Sequence, residues 1–394
     1  LSWSTLEIVG PTGEGTNGGW TDVSFKVEDF MAGTAQMRVR FTVSDVGDNT
    51  QSVVESGVDA FAVEYVECAP ETPCDGDVNG DQNVAVEDLL IAIGNFGNPG
   101  DGDVNGDGKA DILLADKSDV VWYQNPSWQK HIIANKLTLK DNVCIAAKDL
   151  DGDGKVEIAV GANWSPGNTI SRVESGSIHY LIAPEDRTQP WQPVRLPGDP
   201  TTHRMHWVTP KNAPAQLVVL PLHGIGNKGG EGDNGVRVFS YEFPIDSIDH
   251  PGSWRMRLLD ESLHKTHNFD VAGHELVVGG TEGLKILDPY HPLSGEHWIG
   301  DVGKALSSGG IGEVRWGPYP NNHGSEHHRT FVTIEPIHGN AVVVYGPDKV
   351  RTVLDESLAQ GHALACGQFL RNSIREQVIA GWRNPDKSKK VGIR

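Results

Sequence analysis

The sequence predicts a mostly β protein in three parts: a small β-sandwich over residues 1–67, a short calcium-binding linker over 68–101, and an incomplete β-propeller over 102–394. Three observations carry this expectation. The 394 residues include 47 glycines and 23 prolines but only 7% aromatics, a composition of many turns between short elements. Several stretches alternate apolar and polar side chains with the period of two that a half-buried strand requires. From residue 102 onward, loop and strand patterns return at spacings of roughly 40 to 65 residues, the range for propeller blades.

In the first part, Ala35-Gln-Met-Arg-Val-Arg-Phe-Thr-Val43 and Asp59-Ala-Phe-Ala-Val-Glu-Tyr-Val66 carry the alternation. They resemble the jelly-roll accessory modules of secreted hydrolases, which implies either a spacer or a sugar-binding role, and no site is assigned there. Cys68 and Cys74 flank a Pro-containing segment and could close a small disulfide, whereas Cys144 and Cys366 lie in strand-like runs and read as buried thiols. In the linker, Asp77, Asn79, Asp81 and Asp88 fall at the first, third, fifth and last ligand positions of an EF-hand-like loop, with Gln82 in place of the usual turn glycine. An apolar helix, Leu89 to Phe96, is expected to follow. This stretch resembles one repeat of a type I dockerin. A dockerin pairs two such repeats, and the next acidic loop carries Leu114 where a closing carboxylate would stand, so the resemblance stops short of cohesin binding. A calcium-pinned linker is the alternative.

Within the propeller, Asp149-Leu-Asp-Gly-Asp-Gly-Lys-Val-Glu157 joins an oxygen-rich loop directly to a strand. Asp149, Asp151, Asp153 and Glu157 can fold around a hard cation while Gly152 and Gly154 take the tight backbone angles. Asp103, Asn105, Asp107 and Asp111 repeat the spacing, and a third copy near Gln377 keeps the strand but has Arg371-Asn-Ser in place of the acidic loop. Calcium is the expected occupant and its role structural. Loops of this kind fill at the roughly 0.1 to 1 mM calcium outside cells, which points to an extracellular protein. Outer strands are expected to open at Trp128, Trp191, Trp254 and Trp298, and Asp260-Glu-Ser-Leu-His-Lys-Thr-His267 is echoed by Asp355-Glu-Ser-Leu-Ala-Gln-Gly-His362. Blades are expected to begin near residues 102, 142, 203, 267, 309 and 362, the last stopping short at Arg394.

Blade topology sorts the chemistry. First strands start at the same end of the propeller that carries the connections from second to third strands, and the acidic loops belong to the other end. His203, His267 and His362 begin first strands, while His223 and His338 open second-to-third connections. Five imidazoles are thus expected at one channel mouth, and neutral imidazole nitrogens at about 2.0 to 2.1 Å suit zinc. His291, His297, His323, His327 and His328 fall in Gly/Pro/Asn-rich stretches and read as solvated. The glycine-rich run Gly224 to Gly232 lacks the strand-then-helix setting of a phosphate loop and reads as a mobile lid.

Asn142-Val-Cys-Ile-Ala-Ala, His203-Arg-Met-His, Ile337-His-Gly-Asn-Ala-Val-Val-Val-Tyr and Gly361-His-Ala-Leu-Ala-Cys resemble the propeller of the aldos-2-ulose dehydratase/isomerase family and its VCBS/FG-GAP-type relatives over about residues 110 to 394. The resemblance implies a propeller of seven blades in full. It also implies a zinc-assisted elimination on a keto- or anhydro-sugar, with His203, His267, His338 and His362 as ligands. His206, His223 and Glu335 are the candidate bases for proton removal. The cupin part of that family has no counterpart here, so the isomerase half of its chemistry finds no support. The rival is a non-catalytic carbohydrate-binding or adhesion propeller. In either case the expected partner is a carbohydrate or sugar-derived small molecule. A net charge of −20 opposes nucleic acid, and no apolar run reaches the ~18 to 20 residues of a membrane helix. The chain opens at Leu1 without Met or an apolar leader, so a signal peptide is either removed or not included.

Overall fold

Short runs rich in Val, Ile, Leu and aromatics, broken by Gly, Asn, Asp and Pro, form strand after strand in the computed structural model. It describes residues 102–209, 213–227, 232–301, 304–317, 329–367, 377–383 and 392–393. The chain divides into two compact units, Leu1–Glu67 and Cys68–Arg394, and every described residue belongs to the second. Outside the described residues lie the expected sandwich, the Cys68/Cys74 pair, the loop with Asp77, Asn79, Asp81 and Asp88 and the helix after it. So do Arg371-Asn-Ser, residues 228–231 of the glycine-rich run, and His323, His327 and His328.

The described strands make six antiparallel sheets, the blades of a β-propeller. The first holds β1 (Ile112–Ala115), β2 (Asp119–Gln124) and β3 (Gln129–Asn135). The second holds β4 (Cys144–Lys148), β5 (Glu157–Ala162), β6 (Ser177–Ile182) and β7 (Gln192–Leu196). The third holds β8 (Thr202–Val208), β9 (Gln216–Pro221), β10 (Val238–Glu242) and β11 (Met256–Asp260). β12 (Thr266–Ala272), β13 (Glu275–Gly280), β14 (Gly283–Leu287) and β15 (Glu296–Gly300) form the fourth. β16 (Glu313–Trp316), β17 (Phe331–Glu335), β18 (Ala341–Tyr345) and β19 (Arg351–Asp355) form the fifth, and β20 (Gly361–Gly367), β21 (Gln377–Trp382) and β22 (Gly392–Ile393) the sixth. Strand starts expected at 203, 267 and 362 fall at Thr202, Thr266 and Gly361. The acidic loop from Asp103 leads into β1 as the loop from Asp149 leads into β5, so β1 occupies the place of a second strand. Residues 102–111 supply no first strand.

First strands β4, β8, β12, β16 and β20 stand side by side in succession. Side chains alternate across each strand, so one face of a blade packs on the blade before it and the other on the blade after. Five apolar clusters result, one between each consecutive pair of blades. Ile178, Tyr180 and Leu196 of the second blade meet Met205, Trp207 and Phe239 of the third, and Val332, Ile334 and Val342 of the fifth meet Leu364, Ala380 and Trp382 of the sixth. Trp191, Trp254 and Trp298 are buried in these seams, whereas Trp128 is exposed. Trp191 and Trp254 each donate the indole N–H to a backbone carbonyl, of Arg187 and Ile248. Cys144, half-buried in β4, has its thiol pushed up to about 12 by burial. His297 departs from expectation: it lies in β15, half-buried, with Nε2 3.5 Å from Ser262 Oγ.

Candidate metal centre

Three first strands carry the same irregularity at the same position. β8, β12 and β20 each shift register by one residue against the second strand, and the residues left without a partner are His203, His267 and His362. A bulge of this kind re-aims one side chain out of the regular alternation, and here it presents an imidazole at the channel mouth in three blades. A fourth arrives from the connection between β17 and β18. His338 has φ 53°, the left-handed region disfavoured for a residue with a Cβ, and Gly339 follows it.

His267, His338 and His362 converge so that one ring nitrogen from each lies within 4.8 Å of the others. Nε2 of His338 is 2.6 Å from Nε2 of His267, and the His338 and His362 ring centres are 4.7 Å apart. The outward nitrogens face other polar atoms. His267 Nδ1 donates to the Gly312 carbonyl at 2.9 Å and lies 3.3 Å from Glu313 Oε1, which is also 3.6 Å from His362 Nδ1. Arg383 lies behind His338, with Nη2 3.3 Å from Nδ1. Burial first, then the neighbouring His267, His362 and Arg383, lower His338 to about 3, and burial likewise lowers His267. These two rings are therefore neutral near pH 7, the form that offers a lone pair to a metal. For Glu313, burial opposes ionisation. The imidazoles of His267 and His362 beside its Oε1 and the charge of Arg315 outweigh it and hold the carboxyl well below the usual range.

The residues present fit a transition-metal ion in two of three cases. A ligating imidazole generally donates its other N–H to a carbonyl or carboxylate, and His267 and His362 both turn Nδ1 toward such oxygens. Tetrahedral bonds of about 2.0 to 2.1 Å would separate two nitrogens by about 3.3 Å, so the His267–His338 pair would open by less than 1 Å. His338 fits only if the Arg383 guanidinium moves off Nδ1.

His203 stands beside this group with both nitrogens engaged. Its Nδ1 donates to the His267 carbonyl at 2.8 Å, Arg204 Nη1 donates to its Nε2 at 3.0 Å, and its ring stacks on Trp164 at 5.0 Å. The candidate bases lie apart from one another. His206 is three residues further along β8, about 10 Å deeper, with its ring edge-on to Phe269 and lowered to about 4 by burial, with Asp270 opposing and Arg315 and Arg204 assisting. His223 is buried with no partner on Nδ1 and is lowered to about 4 by burial and Lys265. Glu335 is fully buried at the end of β17, its carboxylate accepting from Thr333, from Tyr345 at 2.6 Å and from Arg351 at 2.8 Å.

At the other end of the blades, both acidic loops fold alike. Asp103 accepts from Gly106 N at 2.7 Å and Gly108 N at 2.7 Å, and Asp149 from Gly152 N at 2.7 Å and Gly154 N at 3.0 Å. The four glycines have φ of 79–82°, which a side chain would strain. Asn105 and Asp151 accept from Asp107 N and Asp153 N, and Asp107 and Asp153 accept from Lys109 N and Lys155 N. Asp111 and Glu157 reach back to Val104 N and Leu150 N. Oxygens of Asp149, Asp151 and Glu157 lie within 4.8 Å of one another, close enough to share a cation. Burial first, then Asp151 and Asp153, push the Glu157 carboxyl up to about 7 against the pull of Leu150 N–H and Arg187. The loops touch: Val156 N donates to the Asp103 carbonyl at 3.0 Å, and Arg187 Nη1 bridges the Val104 and Val156 carbonyls.

Sequence reasoning missed Glu313, Asn268, Arg383 and Trp164. Glu313 was findable, because Thr266-His-Asn-Phe and Ile311-Gly-Glu-Val occupy equivalent starts of β12 and β16 and set Glu313 against Asn268. Arg383 and Trp164 sit where no such correspondence was drawn.

Residues 103–160, from the first acidic loop through most of β5, match the FG-GAP-like repeat family. No curated protein matches the chain. Among solved structures, the chain is similar to one in the mitotic checkpoint complex, at 11% identity and TM-score 0.46 over 85% of this chain and 84% of that one. It is also similar to the PQQ-bound aldose sugar dehydrogenase of Streptomyces coelicolor, at 10% identity and TM-score 0.43 over 75% of this chain and 92% of that one.

Proposed function

We propose that this is an extracellular, calcium-stabilised propeller whose channel mouth holds zinc and dehydrates a keto- or anhydro-sugar by β-elimination. The carrying observation is the convergence of His267, His338 and His362, from three separate stretches of chain, on one point at the mouth. Zinc held there would supply a Lewis acid for the sugar carbonyl, so that the adjacent C–H loses its proton more readily. The chain's own residues would divide the remaining work. His267 keeps its outward N–H on the Gly312 carbonyl and His362 turns Nδ1 toward Glu313, which leaves their other nitrogens for the centre. Trp164, half-buried beside His203, offers an aromatic face against which a sugar ring can lie. Of the three candidate bases, His223 has the least engaged nitrogen, whereas the Glu335 oxygens are taken up by three donors. Calcium between Asp149, Asp151 and Glu157 would pin the end of the blades remote from this chemistry. Nucleic acid, cohesin and the membrane interior are not part of this reading.

A second reading, a carbohydrate-binding propeller without catalysis, is favoured by one contact. If Arg383 donates to His338 Nδ1, His338 Nε2 carries the hydrogen and donates to His267 Nε2, which completes a hydrogen-bonded chain with no metal in it. Two measurements decide between the readings: metal analysis of the chain purified with calcium retained, and an ultraviolet assay for the enone formed from 1,5-anhydrofructose. Near-stoichiometric zinc with enone formation supports the lyase. Sugar binding with neither zinc nor enone overturns it.

A further inference from the structure

Glu313 begins β16 and is 1% exposed. Its Oε2 is taken: Asn268 Nδ2 donates to it and Arg315 Nη2 is 3.8 Å away. The other oxygen, Oε1, is buried without a hydrogen-bond partner, and so is Nδ1 of His362. These two atoms face each other across 3.6 Å. A buried donor or acceptor left unmade costs about 1 to 3 kcal/mol, so a small rotation that joins an imidazole N–H to this carboxylate satisfies both at once. His267 approaches the same oxygen at 3.3 Å but already has the Gly312 carbonyl at 2.9 Å.

We infer that Glu313 is a positioning residue that holds His362 in the Nδ1–H tautomer and so turns the lone pair of His362 Nε2 toward His267 and His338. The inference rests on the metal-centre reading for its purpose but not for its test. Tautomer choice is set by what the outward nitrogen meets, and an ionised carboxylate accepts only. A neutral amide at 313 behaves differently. Asn268 donates from its side-chain NH2, so a glutamine turns its oxygen to Asn268 and its own NH2 toward His362. Nδ1 must then accept, the hydrogen moves to Nε2, and the inward lone pair is lost. His267 keeps its tautomer because Gly312 is untouched.

Long-range proton–nitrogen NMR on the metal-free full chain reads the tautomers directly. His362 is expected as Nδ1–H in the wild type and Nε2–H in Glu313→Gln, with His267 Nδ1–H in both. Wild-type His362 found as Nε2–H overturns the inference without any variant, and so does an unchanged His362 in a folded Glu313→Gln. The second measurement titrates zinc alone against a chromophoric chelator, with cobalt absorption as the spectroscopic check. Glu313→Gln is expected to weaken zinc by about 10- to 100-fold, the usual cost of losing a partner behind a ligand, and equal affinities overturn the inference. If the wild type takes up neither ion, the metal reading fails, while the tautomers still decide what Glu313 does.

Discussion

The two ends of the blades build polar sites in opposite ways. At the acidic end, the loops from Asp103 and Asp149 each draw their oxygens from one continuous segment of nine residues, and backbone N–H groups of the same segment already satisfy the leading carboxylates. At the channel mouth, His267, His338 and His362 come from three stretches spread over two first strands and one connection, and atoms such as His362 Nδ1 and Glu313 Oε1 stay unpaired. A local, self-satisfied site makes a fold more stable. A site assembled across blades depends on the fold and leaves bonding capacity for something else. On the proposed reading the difference separates structural from functional chemistry, and the expected effects of substitution can break it.

The largest effect is expected from His267→Ala. His267 touches every other member of the mouth group: Nε2 meets His338, the ring tilts against His362 at 5.2 Å, and its carbonyl receives the His203 N–H. Loss of a ligand costs more than the roughly 10- to 100-fold of a partner behind it, so zinc affinity should fall by more than about a hundredfold. Calcium content should not change. Zinc retained at wild-type affinity, measured by competition with a chelator, would remove the mouth group from the metal reading.

The converse is expected at the other end. Asp149→Ala removes the carboxylate that organises Gly152 and Gly154, and should abolish the calcium-dependent part of the melting temperature while zinc affinity stays within twofold. At a free concentration one hundred times its dissociation constant, a bound ion contributes about 2.7 kcal/mol, which is several degrees. Thermal melts with and without a calcium-selective chelator read this. A wild type whose melting temperature ignores the chelator would end the structural role of the loop.

How much of this was legible in the sequence follows from the same contrast. The acidic loops were readable because their oxygen-bearing side chains fall at alternate positions of one short segment and their glycines stand where φ must be positive. The blades were readable because Trp191, Trp254 and the two Asp-Glu-Ser-Leu runs recur at matching strand positions. His267 and His362 were readable as a pair through that echo. His203 shares their strand position, and the echo could not show that Arg204 and the His267 carbonyl occupy both of its nitrogens. Glu335 was a candidate base by residue type alone, but alternation turns its side chain into the blade, where Tyr345 and Arg351 bind it. Nor could Arg383 be found, since its contact with His338 crosses from the end of β21 to a loop 45 residues earlier. Periodicity reports which strand and which end. It does not report which atoms are already spoken for.

The smallest effect sharpens the contrast by separating a histidine of the core from those of the mouth. His179 in β6 is buried where His338 is only half-buried, with Nε2 bonded to Ser177 Oγ at 3.0 Å, and it lies in a third strand far from the first-strand bulges. Burial, assisted by the charge of Arg195, lowers it from 6.5 to about 4. A histidine depressed in the folded state adds stability above its unfolded value and loses it as pH falls, because the unfolded chain takes up a proton that the folded chain refuses. The loss begins near pH 6.5, reaches about 2 kcal/mol at pH 5, and stops growing near the folded value of about 4. His179→Gln keeps a partner for Ser177 and removes the titration, so its stability should fall less steeply than the wild type's between pH 6.5 and 5. Urea unfolding at both pH values, with chelator present so that metal does not enter, measures the difference. Its zinc affinity at pH 7 should equal that of the wild type. An unchanged slope would mean that His179 protonates freely inside the blade, and a lost zinc site would mean that the mouth depends on more of the second blade than its first strand.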